Sequence, residues 1–129
     1  MHISSDVSEF KARIVWLLSN GKTEEALEQL AGYYKVRPPR IRVGLPKRHR
    51  KGVLGCYTAG DKTISVLNSD ILMNPFVILH EFYHHIRIGS SKVHRGTERN
   101  ANEFAMDFIE SYKSVASRIS LSKNHNGSG

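Results

Sequence analysis

The stretch Val77–Ile86, VILHEFYHHI, constrains the fold of this 129-residue chain more than any other. Its apolar residues recur at helical spacing around most of the helix, which predicts a largely buried helix. Yet His80, Glu81, His84 and His85 lie in the same stretch. Burying a polar group without a partner costs roughly 2–7 kcal/mol. The fold must therefore supply partners for these side chains.

His80, Glu81 and His84 form the pattern H-E-x-x-H. Residues four apart lie on one face of a helix, so both imidazoles can bind one zinc ion, while Glu81 reaches a water molecule on the metal. Zinc lowers the pKa of that water, and Glu81 accepts its proton as the general base. The pattern predicts one Zn²⁺ per chain. His85 points about 100° away from His84 and is expected to support a ligand from behind or to lie at the surface.

A catalytic zinc site needs a third protein ligand and an open position. The metzincin continuation, with glycine and then histidine after the second ligand, is absent because Arg87 and Ser90 stand at those positions. His94, Glu98 and Glu103 remain as candidates.

Helical phase distinguishes the two acids. The apolar arc of a predicted helix over residues 97–119 centres near Ala105 and Tyr112. Glu98 lies within about 50° of that centre, whereas Glu103 lies on the opposite, solvated face. Glu98 is therefore the predicted third ligand.

Local signals predict an α+β domain over residues 1–119, followed by a disordered tail over residues 120–129. Asp6, as part of a capping box, and Thr23, as an N-cap, begin two helices that form a hairpin and stop at Pro38-Pro39.

The middle of the chain is predicted to form a small sheet. Arg40–Val43 alternates basic and apolar residues, and Val53–Leu67 reads as a β-hairpin, so three strands are expected. Asn74-Pro75 then begins the helix that carries the histidines, with its end at Gly89, and the last helix runs from Thr97 to Ile119.

Composition narrows the class of protein. Hydrophobic residues make up 40% and charged residues 24%, as in ordinary globular domains. No apolar run approaches the ~18 residues of a membrane span, and the N-terminal residues lack the pattern of a signal peptide. The single cysteine, Cys56, fits a reducing compartment. We expect a cytoplasmic protein without a membrane partner.

Positive charge is concentrated in the basic segment, Arg37–Lys51. It holds seven Lys and Arg residues and no acid, which accounts for the whole net charge of +7. Such a segment either neutralises phosphates of a polyanion or keeps a loop solvated. The candidate polyanion-binding residues are Lys47, Arg48, Arg50 and Lys51.

The sequence ERNANEFA, Glu98–Ala105, resembles the E-x-x-A-N-x-F-A signature of the ImmA/IrrE family of gluzincin-type metalloproteases. The upstream GCYTAGDKTISVL is similar to the hairpin that precedes the active helix in that family. The resemblance implies a zincin-like fold in which a three-stranded sheet packs on an active-site helix and a glutamate helix. It implies the following roles: zinc ligands His80, His84 and Glu98, general base Glu81, and Asn102 orienting a histidine ligand.

Two functions follow as hypotheses. The first is a zinc endopeptidase that pairs an extended protein substrate with the strand Ile64–Leu67, with Tyr57, His94 and Tyr112 as candidates for stabilising the transition state. Family analogy suggests a protein partner such as a transcriptional repressor. The alternative is a nucleic-acid-binding or regulatory protein that uses the basic segment on the same scaffold.

Overall fold

Capping and turn residues divide the chain into short elements. The computed structural model describes residues 3–87 and 97–127, with side chains for residues 6–87 and 97–119. In these residues the predicted α+β class is confirmed, with four α-helices, one 3-10 helix and three strands. In chain order they are α1 Ile3–Ser19, α2 Thr23–Tyr34, β1 Arg40–Val43, β2 Gly55–Thr58, β3 Thr63–Val66, the 3-10 helix Ser69–Met73, α3 Pro75–Ile86 and α4 Thr97–Gly127.

The three strands form a mixed sheet in the order β1-β3-β2. β1 runs parallel to β3, with Ile41 opposite Ile64, and β2 runs antiparallel to β3, with Tyr57 opposite Ile64. All four residues of β3 are buried. The expectation that Ile64–Leu67 pairs with a substrate is therefore wrong, because β3 already has a neighbour on each side. The free edges of the described sheet belong to β1 and β2.

The N-terminal helices begin differently from the prediction. α1 begins at Ile3, so Asp6 lies in its first turn and is not the N-cap. An acid is favourable at either place because the positive end of the helix dipole is near. α2 follows Lys22, and Thr23 is its first residue rather than its cap. The Thr23 hydroxyl instead donates to the Leu72 carbonyl oxygen at 2.7 Å, which ties α2 to the 3-10 helix before α3.

The ends of the later helices also differ from the prediction. α4 continues to Gly127, past the predicted end at Ile119, so the tail predicted to be disordered is helical up to that residue. No proline or glycine occurs between Thr97 and Gly127 to interrupt the helix. α3 ends at Ile86, and Gly89 lies outside the described residues.

A single apolar core joins the helices to the sheet. α4 packs against α1 and α3, and α3 also packs against β2, so α3 lies between the sheet and α4. The largest fully buried side chains include Phe82, Phe108, Ile14, Leu18, Leu27, Leu30, Ile64 and Ile78. Within the described ranges, no helix combines the length and hydrophobicity that crossing a membrane requires.

Asn74→Ala is expected to destabilise the fold by about 1 kcal/mol. The Asn74 side-chain oxygen accepts a hydrogen bond from the Val77 main-chain nitrogen at 3.2 Å and so caps α3, as predicted. Asn74→Asp retains an acceptor and should remain close to wild type. Urea denaturation of the three proteins measures both effects, and equal losses in the two variants would show that the cap contributes nothing.

Candidate metal centre

Three side chains from α3 and α4 bring possible ligand atoms together. His80 Nε2 lies 2.8 Å from Glu98 Oε1, and His84 Nε2 lies 3.0 Å from Glu98 Oε2. One ligand atom from each residue lies within 4.8 Å of the other two. Ligand atoms that share a tetrahedral zinc ion stand about 3.3 Å apart. The two histidine–Glu98 distances lie within about half an ångström of that spacing.

Asn102 orients His80 from the opposite side of the ring. His80 Nδ1 donates to Asn102 Oδ1 at 2.8 Å. An amide oxygen only accepts, so Nδ1 carries a proton and Nε2 is the nitrogen directed at Glu98. Metal-binding histidines are commonly held in this way, with the second ring nitrogen bonded to an oxygen acceptor. Two oriented imidazoles and one carboxylate form a donor set that suits zinc.

Glu81 lies beside this cluster and is 8% exposed. Burial raises the pKa of Glu81 to about 7, His80 acts in the opposite direction, and the charge on Glu98 raises the pKa further. A carboxyl group that titrates near neutral pH can both accept and release a proton. This is the property that a general base requires.

His84 is affected by burial in the opposite sense. Burial lowers the pKa of His84, the charge on Glu98 raises it, and His80 lowers it again. A lowered pKa favours the neutral imidazole, which is the form that binds a metal ion.

The cluster opens onto a cleft of about 930 Å³. One wall is the edge strand β2, the second is α3 with the start of α4, and the third is the loop between β1 and β2. Glu81, His84 and Glu98 all line this cleft. A chain running along β2 would therefore occupy the same cleft as His84 and Glu98.

Gly55 is a residue of the site that the sequence analysis did not identify. A Cβ atom at this position would lie 2.7 Å from Val77 Cγ1 and 3.7 Å from Glu81 Cγ. The contact with Val77 is too close for any side chain, so glycine lets β2 approach α3 beside the buried carboxylate. The only signal in the sequence was a glycine at the start of a strand.

Tyr57 and His85 bond to each other rather than to the ligands. His85 Nε2 donates to the Arg37 carbonyl oxygen at 2.7 Å, so Nδ1 accepts from the Tyr57 hydroxyl, also at 2.7 Å. His85 is 3% exposed, so its expected place at the surface or behind a ligand is wrong. It ties β2 to the segment after α2. The Tyr57 hydroxyl proton is used in this contact and does not point at the cluster.

The other candidates lie away from the cluster or outside the described chain. Glu103 pairs with Arg99 at 3.3 Å on the exposed face, as helical phase predicted. Tyr112 lines a separate cavity between α1 and α4. His94 lies outside the described residues.

The four candidate polyanion-binding residues are exposed, but the fold divides them into two pairs. Arg48 and Arg50 line the cleft, whereas Lys47 and Lys51 are not among its lining residues. The basic segment is therefore part of the candidate site as well as part of the outer surface.

Comparison of the chain with protein-family models, with curated proteins and with solved structures finds no match.

The buried Glu81 is expected to make the metal-free protein less stable as the pH rises. Its folded pKa of about 7 lies above its ordinary value, so the folded state binds more protons in the interval between them. The contribution of Glu81 to the free energy of unfolding is fully present below the ordinary pKa of a glutamate. It is lost as the pH rises towards 7. The loss is on the order of a few kcal/mol, since one pKa unit corresponds to about 1.4 kcal/mol.

Glu81→Gln removes this proton uptake, so it isolates the effect from that of the histidines. Denaturation with chelator present, from pH 4 to pH 8, should show the variant gaining stability relative to wild type across the interval. A constant difference between the two proteins would contradict the burial of Glu81 described above.

Proposed function

We propose that this chain is a zinc-dependent endopeptidase of gluzincin type, built on a zincin-like fold, that cleaves peptide bonds of a protein substrate in the cytoplasm. The observation that carries the proposal is the convergence of His80, His84 and Glu98, with His84, Glu98 and the buried Glu81 lining an open cleft. Each part of this arrangement has a role in hydrolysis that its geometry supports.

His80, His84 and Glu98 would hold the zinc ion, and the open cleft leaves one side of the cluster free for substrate. When bound, zinc supplies Lewis acidity, which lowers the pKa of a water molecule and polarises a carbonyl group. Asn102 keeps His80 in the orientation that presents Nε2 to this position. The three ligands come from two helices, so the packing of α3 on α4 sets their spacing.

Glu81 is the proposed general base. Its side chain lines the same cleft as the ligand His84, and in the metal-free protein burial raises its pKa to about 7. It accepts the proton from the attacking water and can return it to the leaving amine. The desolvation that raises the pKa of Glu81 also strengthens its interaction with a proton.

The free edge of β2 is the proposed binding site for the substrate main chain. β2 pairs with β3 on one side only, and all four residues, Gly55–Thr58, line the cleft. An extended peptide can add to such an edge through main-chain hydrogen bonds. β2 thus takes the role that the sequence analysis expected of Ile64–Leu67.

Glu81→Gln should reduce hydrolysis of an unfolded protein substrate by about 10²-fold or more while leaving zinc bound. The amide keeps the shape of the carboxylate but cannot accept the proton. Cleavage rate and zinc content are measured on the same samples. Glu103→Gln, on the exposed face of α4, is the matched control and should retain both. Cleavage by Glu81→Gln at the wild-type rate would rule out the mechanism.

Glu98→Ala is expected to lower zinc affinity sharply, because only two protein ligands would remain. Asn102→Ala should lower it on the order of tenfold by releasing the His80 ring. Glu103→Ala should leave it unchanged, since that side chain pairs with Arg99 in solvent. Competitive titration with a chromophoric chelator gives the three affinities. Zinc loss in Glu103→Ala with retention in Glu98→Ala would overturn the ligand assignment.

A further inference from the structure

We infer that the cleft selects peptides that carry acidic side chains, and that Arg48 and Arg50 recognise them. The inference rests on the proposed endopeptidase function and names its substrate class. It is carried by the position of these two arginines relative to the ligand cluster and to the free edge of β2.

Arg48 and Arg50 line the same cleft as Glu81 and His84, and Arg87 lines it at the end of α3. Among the side chains of residues 6–87 and 97–119, the observed ion pairs involve none of these three arginines. Arg87 lies over the Tyr83 ring, 5.9 Å from its centroid. The cleft therefore presents to a ligand three arginines that form no salt bridge within the described side chains.

The loop that carries the arginines is anchored to the sheet and to itself. The Gly44 nitrogen donates to the Val66 carbonyl oxygen at 2.7 Å, where the loop leaves β1. His49 Nδ1 donates to the Pro46 carbonyl oxygen at 2.7 Å, between the two arginines in sequence. These bonds favour a fixed path for the loop along the cleft. Arginine at a defined position can form two parallel hydrogen bonds with a carboxylate.

A peptide suits this cleft better than a nucleic acid does. All four residues of β2 line the cleft together with Arg48 and Arg50, so the neutral main chain of a peptide can run along this edge while its acidic side chains reach the two arginines. The adjacent β2 edge adds main-chain pairing that only a peptide can complete.

Cys56 provides a reporter for occupancy of the cleft. It is the only cysteine of the chain, is partly exposed, and lines the cleft on β2. The rate at which iodoacetamide alkylates it should fall when a peptide occupies the cleft. The experiment uses full-length, zinc-loaded protein carrying Glu81→Gln, so that the probes are not cleaved.

The probes are an extended peptide rich in Asp and Glu and its twin in which every acid is replaced by the corresponding amide. We expect the acidic peptide to protect Cys56 at about tenfold lower concentration than its twin, as two charge-assisted contacts would provide. R48S with R50S should abolish this preference. K47S with K51S removes the same charge from the same loop outside the cleft and should preserve it.

Three results would overturn the inference: equal protection by the two peptides, equal loss of the preference in both double variants, or tighter protection by a single-stranded oligonucleotide than by the acidic peptide. The last would favour the nucleic-acid function. These outcomes do not depend on hydrolysis, so they are distinguishable from failure of the proposed function, which the cleavage rates of wild type and Glu81→Gln test separately.

Discussion

The contact between α3 and α4 is the interaction on which the candidate site depends. His84 lies next to Glu98, and His80 reaches both Glu98 and, one turn further along α4, Asn102. The paired positions run in opposite directions along the chain, so the helices are antiparallel. Phe82 and Phe108, both fully buried, belong to the apolar core that holds them together. Hydrophobic packing of α3 on α4 therefore sets the distances between the side chains of His80, His84 and Glu98, which would otherwise be solvated.

The same packing imposes a cost at Glu81. The carboxylate of Glu81 is 8% exposed and therefore poorly solvated, and this desolvation is the largest cause of its raised pKa. Gly55 makes the burial possible, because any side chain there would contact Val77 and push β2 away from α3. Ionised Glu81 destabilises the fold, and its burial depends on the absence of a side chain at Gly55. Packing alone would not favour this arrangement. Such departures are concentrated at functional sites.

The basic segment connects the site to the surface. Charge alone would allow it to be a solvated loop, a polyanion site or a wall of the cleft. Its anchoring at Gly44 and the position of Arg48 and Arg50 give two of its residues a specific relation to Glu81, while Lys47 and Lys51 lie outside the cleft. The position of positive charge inside a cleft is more informative about a ligand than the net charge of the chain, because the cleft concentrates the electric field where a ligand would bind.

The sequence by itself determined the short-range features. Helical spacing placed His80 and His84 on one face, the phase of α4 separated Glu98 from Glu103, and Asn74 marked the start of α3, because these depend on residues within a few turns of one another. The order of the sheet, the partners of His85 and the approach at Gly55 depend on residues far apart in the chain. No local periodicity encodes them. Only the tertiary structure decided which strand kept a free edge and which arginines face the cleft, because both follow from how separate elements pack.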